Sequence, residues 1–151
     1  MALKFREAEY KDVEALVNML FDDPLGTLRE DSSKPLNSAY LTAFEAILKD
    51  NNNELIIVEN NDNIMGMLQL TFIPYLTHTG SWRCLIEGVR VQSDCRGKGL
   101  GTQFFEWAIE RAKQRGCNMV QLTSNKARVD ALRFYQNLGF EASHEGFKLM
   151  L

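Results

Sequence analysis

The residues best placed to do chemistry lie in one continuous stretch, Val89-Arg90-Val91-Gln92-Ser93-Asp94-Cys95-Arg96-Gly97-Lys98-Gly99-Leu100-Gly101-Thr102. An apolar strand runs into a glycine-rich turn, and the turn opens an amphipathic helix. Exposed amides at a helix N-terminus, together with the helix dipole, make an anion site. Gly97, Gly99 and Gly101 let backbone approach a ligand without side-chain obstruction. Arg96 and Lys98 add positive charge, so the fitting ligand is a phosphate or pyrophosphate. The Walker pattern is absent. The dinucleotide pattern G-x-G-x-x-G fails too, because it needs glycine at Thr102 or at Phe104. A glycine turn that binds nothing is the rival reading.

Periodicity supplies the elements around this loop. Leu3–Glu7 alternates as a strand, and Val13, Leu16, Val17 and Leu20 recur at helical spacing before Pro24. Pro35 is expected to open a second helix at its first turn, with Tyr40, Phe44, Ile47 and Leu48 on its buried face. Strands are expected at Glu54–Glu59, Ile64–Phe72 and Trp82–Val91. A helix at Leu100–Arg115 carries Leu100, Phe104, Ala108, Ile109 and Ala112 on one face, and Gly116 caps it. Asn118–Thr123 reads as a short strand and Val129–Leu138 as the last helix, with Ala131, Phe134, Tyr135 and Leu138 on one stripe. Phe140–Leu151 is expected to supply one or two final strands. The order predicts an α/β (α+β) fold: a mixed, mostly antiparallel sheet with a parallel pair across the glycine-loop helix and helices on both faces. Residues 1–151 read as a single domain, a normal length for one.

Composition narrows the function. Apolar residues make up 45% and charged residues 25% of 151, as in ordinary globular proteins. Lys and Arg total 17 against 20 Asp and Glu, without the basic excess expected of a general nucleic-acid binder. No apolar run reaches the length of a membrane span. Cys84, Cys95 and Cys117 form no C-x-x-C pair, and His78 and His144 stand far apart, so no metal-ligand spacing is present. A reduced, cytoplasmic setting is expected, with neither nucleic acid nor membrane as a partner.

The motifs resemble those of the GNAT N-acetyltransferase superfamily. Arg96-Gly97-Lys98-Gly99-Leu100-Gly101 is similar to the family's coenzyme A loop, [QR]-x-x-G-x-[GA]. Ile86-Glu87-Gly88-Val89-Arg90-Val91 resembles its fourth strand, and Phe134-Tyr135-Gln136-Asn137-Leu138-Gly139-Phe140 its closing F-Y-x-x-L-G-F. Small bacterial members also resemble the chain in Gly80-Ser81-Trp82-Arg83 and in the ending Ser143–Phe147. The resemblance implies a sheet splayed between strands 4 and 5. It also implies acetyl-CoA as co-substrate, with no metal, and acetyl transfer to a primary amine in a ternary complex.

Residue by residue, the resemblance implies that the pyrophosphate sits on the amides of Arg96, Gly97, Lys98, Gly99, Leu100, Gly101 and Thr102. Pantetheine would pair with backbone at Val89 and Val91, and an amide near Val89 would polarise the thioester carbonyl. Strand alternation puts Leu85, Glu87, Val89 and Val91 on one face. Glu87 is open to two roles, general base or structural carboxylate. Tyr135 matches the family tyrosine that protonates the departing thiolate. Asn125 is either a pantetheine contact or a turn asparagine. Cys95 precedes the basic loop, where a thiolate could be stabilised, although direct transfer needs no enzyme nucleophile. Asp22, Asp23, Glu30 and Asp31 are candidates to attract a cationic amine, against the reading of a solvated loop. The acceptor is expected to be a small-molecule amine, with a homodimer as a possible assembly. A non-catalytic acetyl-CoA sensor or partner-binding module is the alternative.

Overall fold

A five-stranded sheet frames the protein, as seen in a computed structural model that describes residues 2–151. Its strands lie in chain order: β1 (Lys4–Glu7), β2 (Asn53–Asn60), β3 (Asn63–Pro74), β4 (Trp82–Val91) and β5 (Met119–Gln121). The first three pairings are antiparallel and β4–β5 is parallel. The helices are α1 (Val13–Phe21), α2 (Ser38–Lys49), α4 (Leu100–Gln114) and α5 (Ala131–Asn137), while α3 (Thr77–Gly80) is one turn with left-handed backbone at His78 and Thr79. The chain divides into two compact units, residues 1–121 and 122–151. The sheet and α1–α4 belong to the first, and α5 to the second.

Successive residues of a strand face opposite sides, and both Ile57 and Val58 are fully buried. The sheet is therefore covered on both faces. On one face Val13, Leu16, Val17 and Met19 of α1 and Phe44 of α2 pack with Ile57 and Met67. On the other lie Leu100, Phe104, Phe105, Ala108 and Ala112 of α4, all buried. Phe5 stacks on Trp107 with centroids 5.4 Å apart. Gly66 is where the packing leaves no room, since a Cβ there would come within 2.9 Å of the Arg90 carbonyl and 3.1 Å of Val58 Cγ1.

Four local expectations change. Pro35 does not start α2; Asn37 caps it, accepting from the Ala39 amide at 2.9 Å. Leu48 is 49% exposed rather than buried, because that helix turns Phe44 and the part-buried Tyr40 to the core instead. Phe105, which the helical stripe left out, is fully buried, at 1% exposure. Residues 140–151 contain no strand. Alternation of Phe147, Leu149 and Leu151 supplies a strand pattern, but a strand also needs a hydrogen-bonded neighbour, and residues 122–151 contain no second one.

Charge is buried where β1 meets α1. Arg6 donates to Asp12 at 2.8 and 3.1 Å and to Glu59 at 3.1 Å. Asp12 and Glu59 are each 5% exposed, and Asp12 also accepts the Glu9 amide at 2.8 Å. Burial pushes the Asp12 pKa up, but the Arg6 hydrogen bond and the Glu9 amide outweigh it and hold the carboxyl below 3.8. A carboxyl so lowered stabilises the fold above its unfolded pKa, and that support is lost as pH falls through the folded value. Removing one partner of a buried ion pair costs about 3–5 kcal/mol. Arg6→Met is therefore expected to lose stability on that scale in urea unfolding at neutral pH, with the deficit shrinking in acid as the carboxylates protonate. A deficit that is the same at both pH values would contradict this assignment.

Burial also pushes the Cys84 thiol up to about 12. In the native protein, iodoacetamide followed by mass spectrometry is expected to label Cys95 and Cys117, which are part-exposed, well before the buried Cys84. Equal labelling rates would show that β4 opens.

Candidate functional site

The decisive geometry is a break in the β3–β4 register. Glu87 stands opposite Gln69 and Arg90 opposite Met67, so three steps on β4 match two on β3. Gly88 and Val89 together face the single residue Leu68. This is a β-bulge, which leaves an extra residue out of the ladder and re-aims those that follow. Gly88 has a φ of 63°, a left-handed conformation that glycine adopts without strain.

The bulge corrects the expected alternation. Residues directly opposite share a face. Arg90 therefore lies with Met67, Gln69 and Glu87 on the α1 side, while Val91, opposite Gly66, lies with Ile86 on the α4 side. Leu85, Glu87, Val89 and Val91 are not one row. Glu87 is exposed. Its neighbour Gln69 donates to Asn53 Oδ1 at 3.2 Å. Beyond Leu85, β4 has no further pairing with β5, whose register covers only Arg83–Leu85. That is the opening expected between the two strands.

At the end of β4, residues Ser93–Cys95 make one 3-10 turn and the chain passes through Arg96–Gly99 into α4. Gly97 and Gly99 have φ of 76° and 78°, and a Cβ at either would meet nothing within 4 Å. The backbone there is open rather than covered by side chains. Gly99 is the N-cap of α4 and offers no capping side chain. The first amides of a helix, here those of Leu100, Gly101 and Thr102, have no intrahelical acceptor. They carry the positive end of a 15-residue helix dipole. Arg96 Nε donates to the Val91 carbonyl at 3.0 Å, tying the loop back to the strand that leads into it. Lys98 is exposed. These residues fit a pyrophosphate: several amide donors, two cations and an unobstructed backbone.

In the second unit, Tyr135 lies on the less exposed side of α5 with Ala131, Phe134 and Leu138, the stripe that periodicity predicts. Its ring meets Phe134 and Phe140 edge-on, with centroids 5.4 and 6.0 Å away. Asn125 Oδ1 accepts the Ala127 amide at 2.9 Å, an Asx turn.

Other candidates resolve differently. Burial and the neighbouring Asp94 raise the Cys95 pKa, against a smaller lowering by Lys98, so a stabilised thiolate does not form there. Three carboxylates of the acidic loop have partners nearby. Asp31 accepts from Ser33 N and Asn37 Nδ2, Glu30 from Tyr40 Oη, and Asp23 from Gly26 N. His78 is exposed in the β3–β4 connection, and His144 contacts Ser143 Oγ through Nδ1 at 2.7 Å. No cluster able to hold a metal occurs among the described residues, and no helix among them is long and apolar enough to cross a membrane. A cavity of about 220 Å³, lined by His78, Trp82, Arg83 and Met119 among others, lies at the far end of β4 from the glycine loop. Arg90, 8% exposed, escaped the sequence reading. The signal for it was Gly88, since glycine inside a strand pattern marks a bulge.

Comparison with known proteins agrees with this geometry. The Acetyltransferase (GNAT) family profile matches residues 15–140. The aminoalkylphosphonate N-acetyltransferase of Salmonella typhimurium is 33% identical over 109 residues, which span 72% of this chain and 70% of that protein. A crystal structure from Bacillus halodurans C-125, described as a transcriptional regulator, is 57% identical with a TM-score of 0.96, covering 99% of this chain and 100% of that one. A predicted acetyltransferase of Clostridium acetobutylicum, crystallised with acetyl-CoA, shares the fold at a TM-score of 0.74 and 22% identity, over 99% of this chain and 96% of its own. A bulged fourth strand, an open glycine cradle at the start of α4 and a family match over most of the sequence lead to one conclusion: the chain belongs to the GNAT family of acetyltransferases.

Proposed function

We propose that the protein moves an acetyl group from acetyl-CoA to the primary amine of a small molecule, by direct transfer in a ternary complex. The observation that carries this is the open cradle at Gly97 and Gly99, directly after the bulge in β4. Acetyl-CoA supplies the activated acyl group as a thioester. The amides of residues 96–102, with Arg96 and Lys98, hold its pyrophosphate. Backbone at Val89 and Val91 aligns the pantetheine. The bulge takes Val89 out of the regular ladder, which leaves its amide suited to face the oxygen that gains charge. Glu87 receives the ammonium proton of the acceptor, directly or through a water. The Tyr135 hydroxyl gives a proton to the sulfur that leaves, and Asn125 adds a pantetheine contact.

A small-molecule acceptor is supported by the relative that acts on aminoalkylphosphonates. The reading includes a single functional domain over residues 1–151, a cytoplasmic setting and a homodimer. The exposed apolar side chains of Phe147, Leu149 and Met150 favour pairing with a second copy. A second reading, an acetyl-CoA-binding regulator without turnover, is favoured by the 57% identical relative described as a transcriptional regulator.

Transfer of labelled acetyl across an amine panel beginning with aminoalkylphosphonates separates the two readings. Turnover is expected, and binding of acetyl-CoA without transfer to any amine would favour the regulator. Tyr135→Phe and Glu87→Gln are each expected to lower kcat by about 10²–10⁴-fold, the usual worth of a positioned acid or base. Gly99→Asp is expected to abolish calorimetric coenzyme A binding in a folded protein, through charge repulsion and a side chain forced to positive φ. Undiminished affinity in that variant would overturn the loop assignment.

A further inference from the structure

Arg90 reaches in two directions from the bulge. Its Nη1 donates to the Val89 carbonyl at 2.8 Å. Its Nη2 lies 3.7 Å from Asp23 Oδ2, with the two side chains only 9% and 7% exposed. Asp23 stands just past the end of α1, and the same Oδ2 accepts the Gly26 amide at 2.9 Å. The turn it organises is tight. Thr27 N donates to the Asp23 carbonyl, and Thr27 Oγ1 to the Phe21 carbonyl, both at 2.8 Å. A Cβ on Gly26 would come within 1.9 Å of the Leu20 carbonyl, so only glycine fits. One carboxylate therefore both shapes the turn after α1 and meets the cation on β4.

A buried ion pair is weak evidence for stability, because apolar residues of similar volume often serve as well. Its better-attested use is to fix register. Here the register concerns a specific face. The bulge puts Arg90 on the side of β4 that carries Glu87, so the pair ties the loop of residues 22–30 beside that carboxylate. The loop and Glu87 thus share the α1 face of β4, whereas the glycine loop lies beyond the end of the strand.

We propose that Arg90 and Asp23 are positioning residues that lock the 22–30 loop onto β4 and thereby set where the acceptor amine is held, without contributing to coenzyme A affinity. The acceptor half of this statement rests on the acetyl-transfer reading; the mechanical half does not. The pair acts through the loop and the strand, not by touching the reacting atoms.

The test uses the full chain as Arg90→Met, Arg90→Lys, Asp23→Asn and the Arg90→Met/Asp23→Asn double variant. Asp23→Asn can keep the Gly26 hydrogen bond while removing the charge, which guards against a variant that fails to fold. Hydrogen exchange is expected to speed up in residues 22–30 in Arg90→Met and Asp23→Asn, with β2 and β3 unchanged. With an aminoalkylphosphonate as the probe acceptor, KM for the amine is expected to rise about tenfold or more, since small misplacements near a reacting group are costly. KM for acetyl-CoA stays constant in Asp23→Asn, which leaves the Arg90–Val89 hydrogen bond in place, Arg90→Lys recovers part of the loss, and the double variant is no worse than the poorer single. Unchanged exchange in the loop overturns the proposal. So does a loosened loop with unaltered kinetics, or an equal rise in both KM values in Asp23→Asn. A wild type inert towards every amine refutes the acetyl-transfer reading instead, while the exchange measurement still decides whether the pair locks the loop.

Discussion

The single extra residue in β4 governs the geometry of the site. A strand in perfect register would have pointed Arg90 towards α4 and kept Val89 within the ladder. With Gly88 at a φ of 63°, the strand turns over between Glu87 and Arg90, and a cation and a carboxylate come to share one face. The same turn releases a short piece of backbone at the level where the strand loses its parallel neighbour. Backbone donors and one side chain's orientation are thus set by one local rearrangement, and the glycine that permits it carries no chemistry of its own.

Stability and chemistry are kept in different parts of the first unit. The ion pairs of Arg6 with Asp12 and Glu59 sit at the β1 side of the sheet, and those of Arg111 and Arg115 with Glu54 at the last turn of α4. Neither cluster includes a residue of the glycine loop. The loop itself is mostly exposed, and nothing packs against Gly97 or Gly99. The helix-start amides are thus carried on a well-packed support, which is how fixed dipoles remain effective without reorganising.

Much of this was legible because the signals are local. Trp82–Val91 reads as a strand from its composition, and the helix after it is bracketed by glycines at Gly99 and Gly116, so both elements form where periodicity puts them. The glycine loop and the Phe134–Phe140 motif were visible as residues. What stayed hidden depends on partners distant in sequence. The burial of Arg90 requires Asp23, 67 positions away, and the strand-like ending needs a neighbour that residues 122–151 do not provide. Pro35 and Leu48 misled for the same reason: a proline or a helical stripe states a preference, and the rest of the fold decides which preference is used.

One consequence of the α4 anchoring concerns the cycle as a whole. Arg111 Nε grips Glu54 at 2.9 Å and the Arg115 guanidinium lies 4.1 Å over the Phe72 ring, so the helix is bolted to β2 and β3 at the end remote from the glycines. Phe104 and Phe105 wedge its middle. Held at that end and through its middle, the helix keeps its N-terminal amides aimed in one direction. Under the acetyl-transfer reading, any give on admitting or releasing the ligand falls to the less packed residues between Val91 and Leu100, a stiff dipole behind a looser collar.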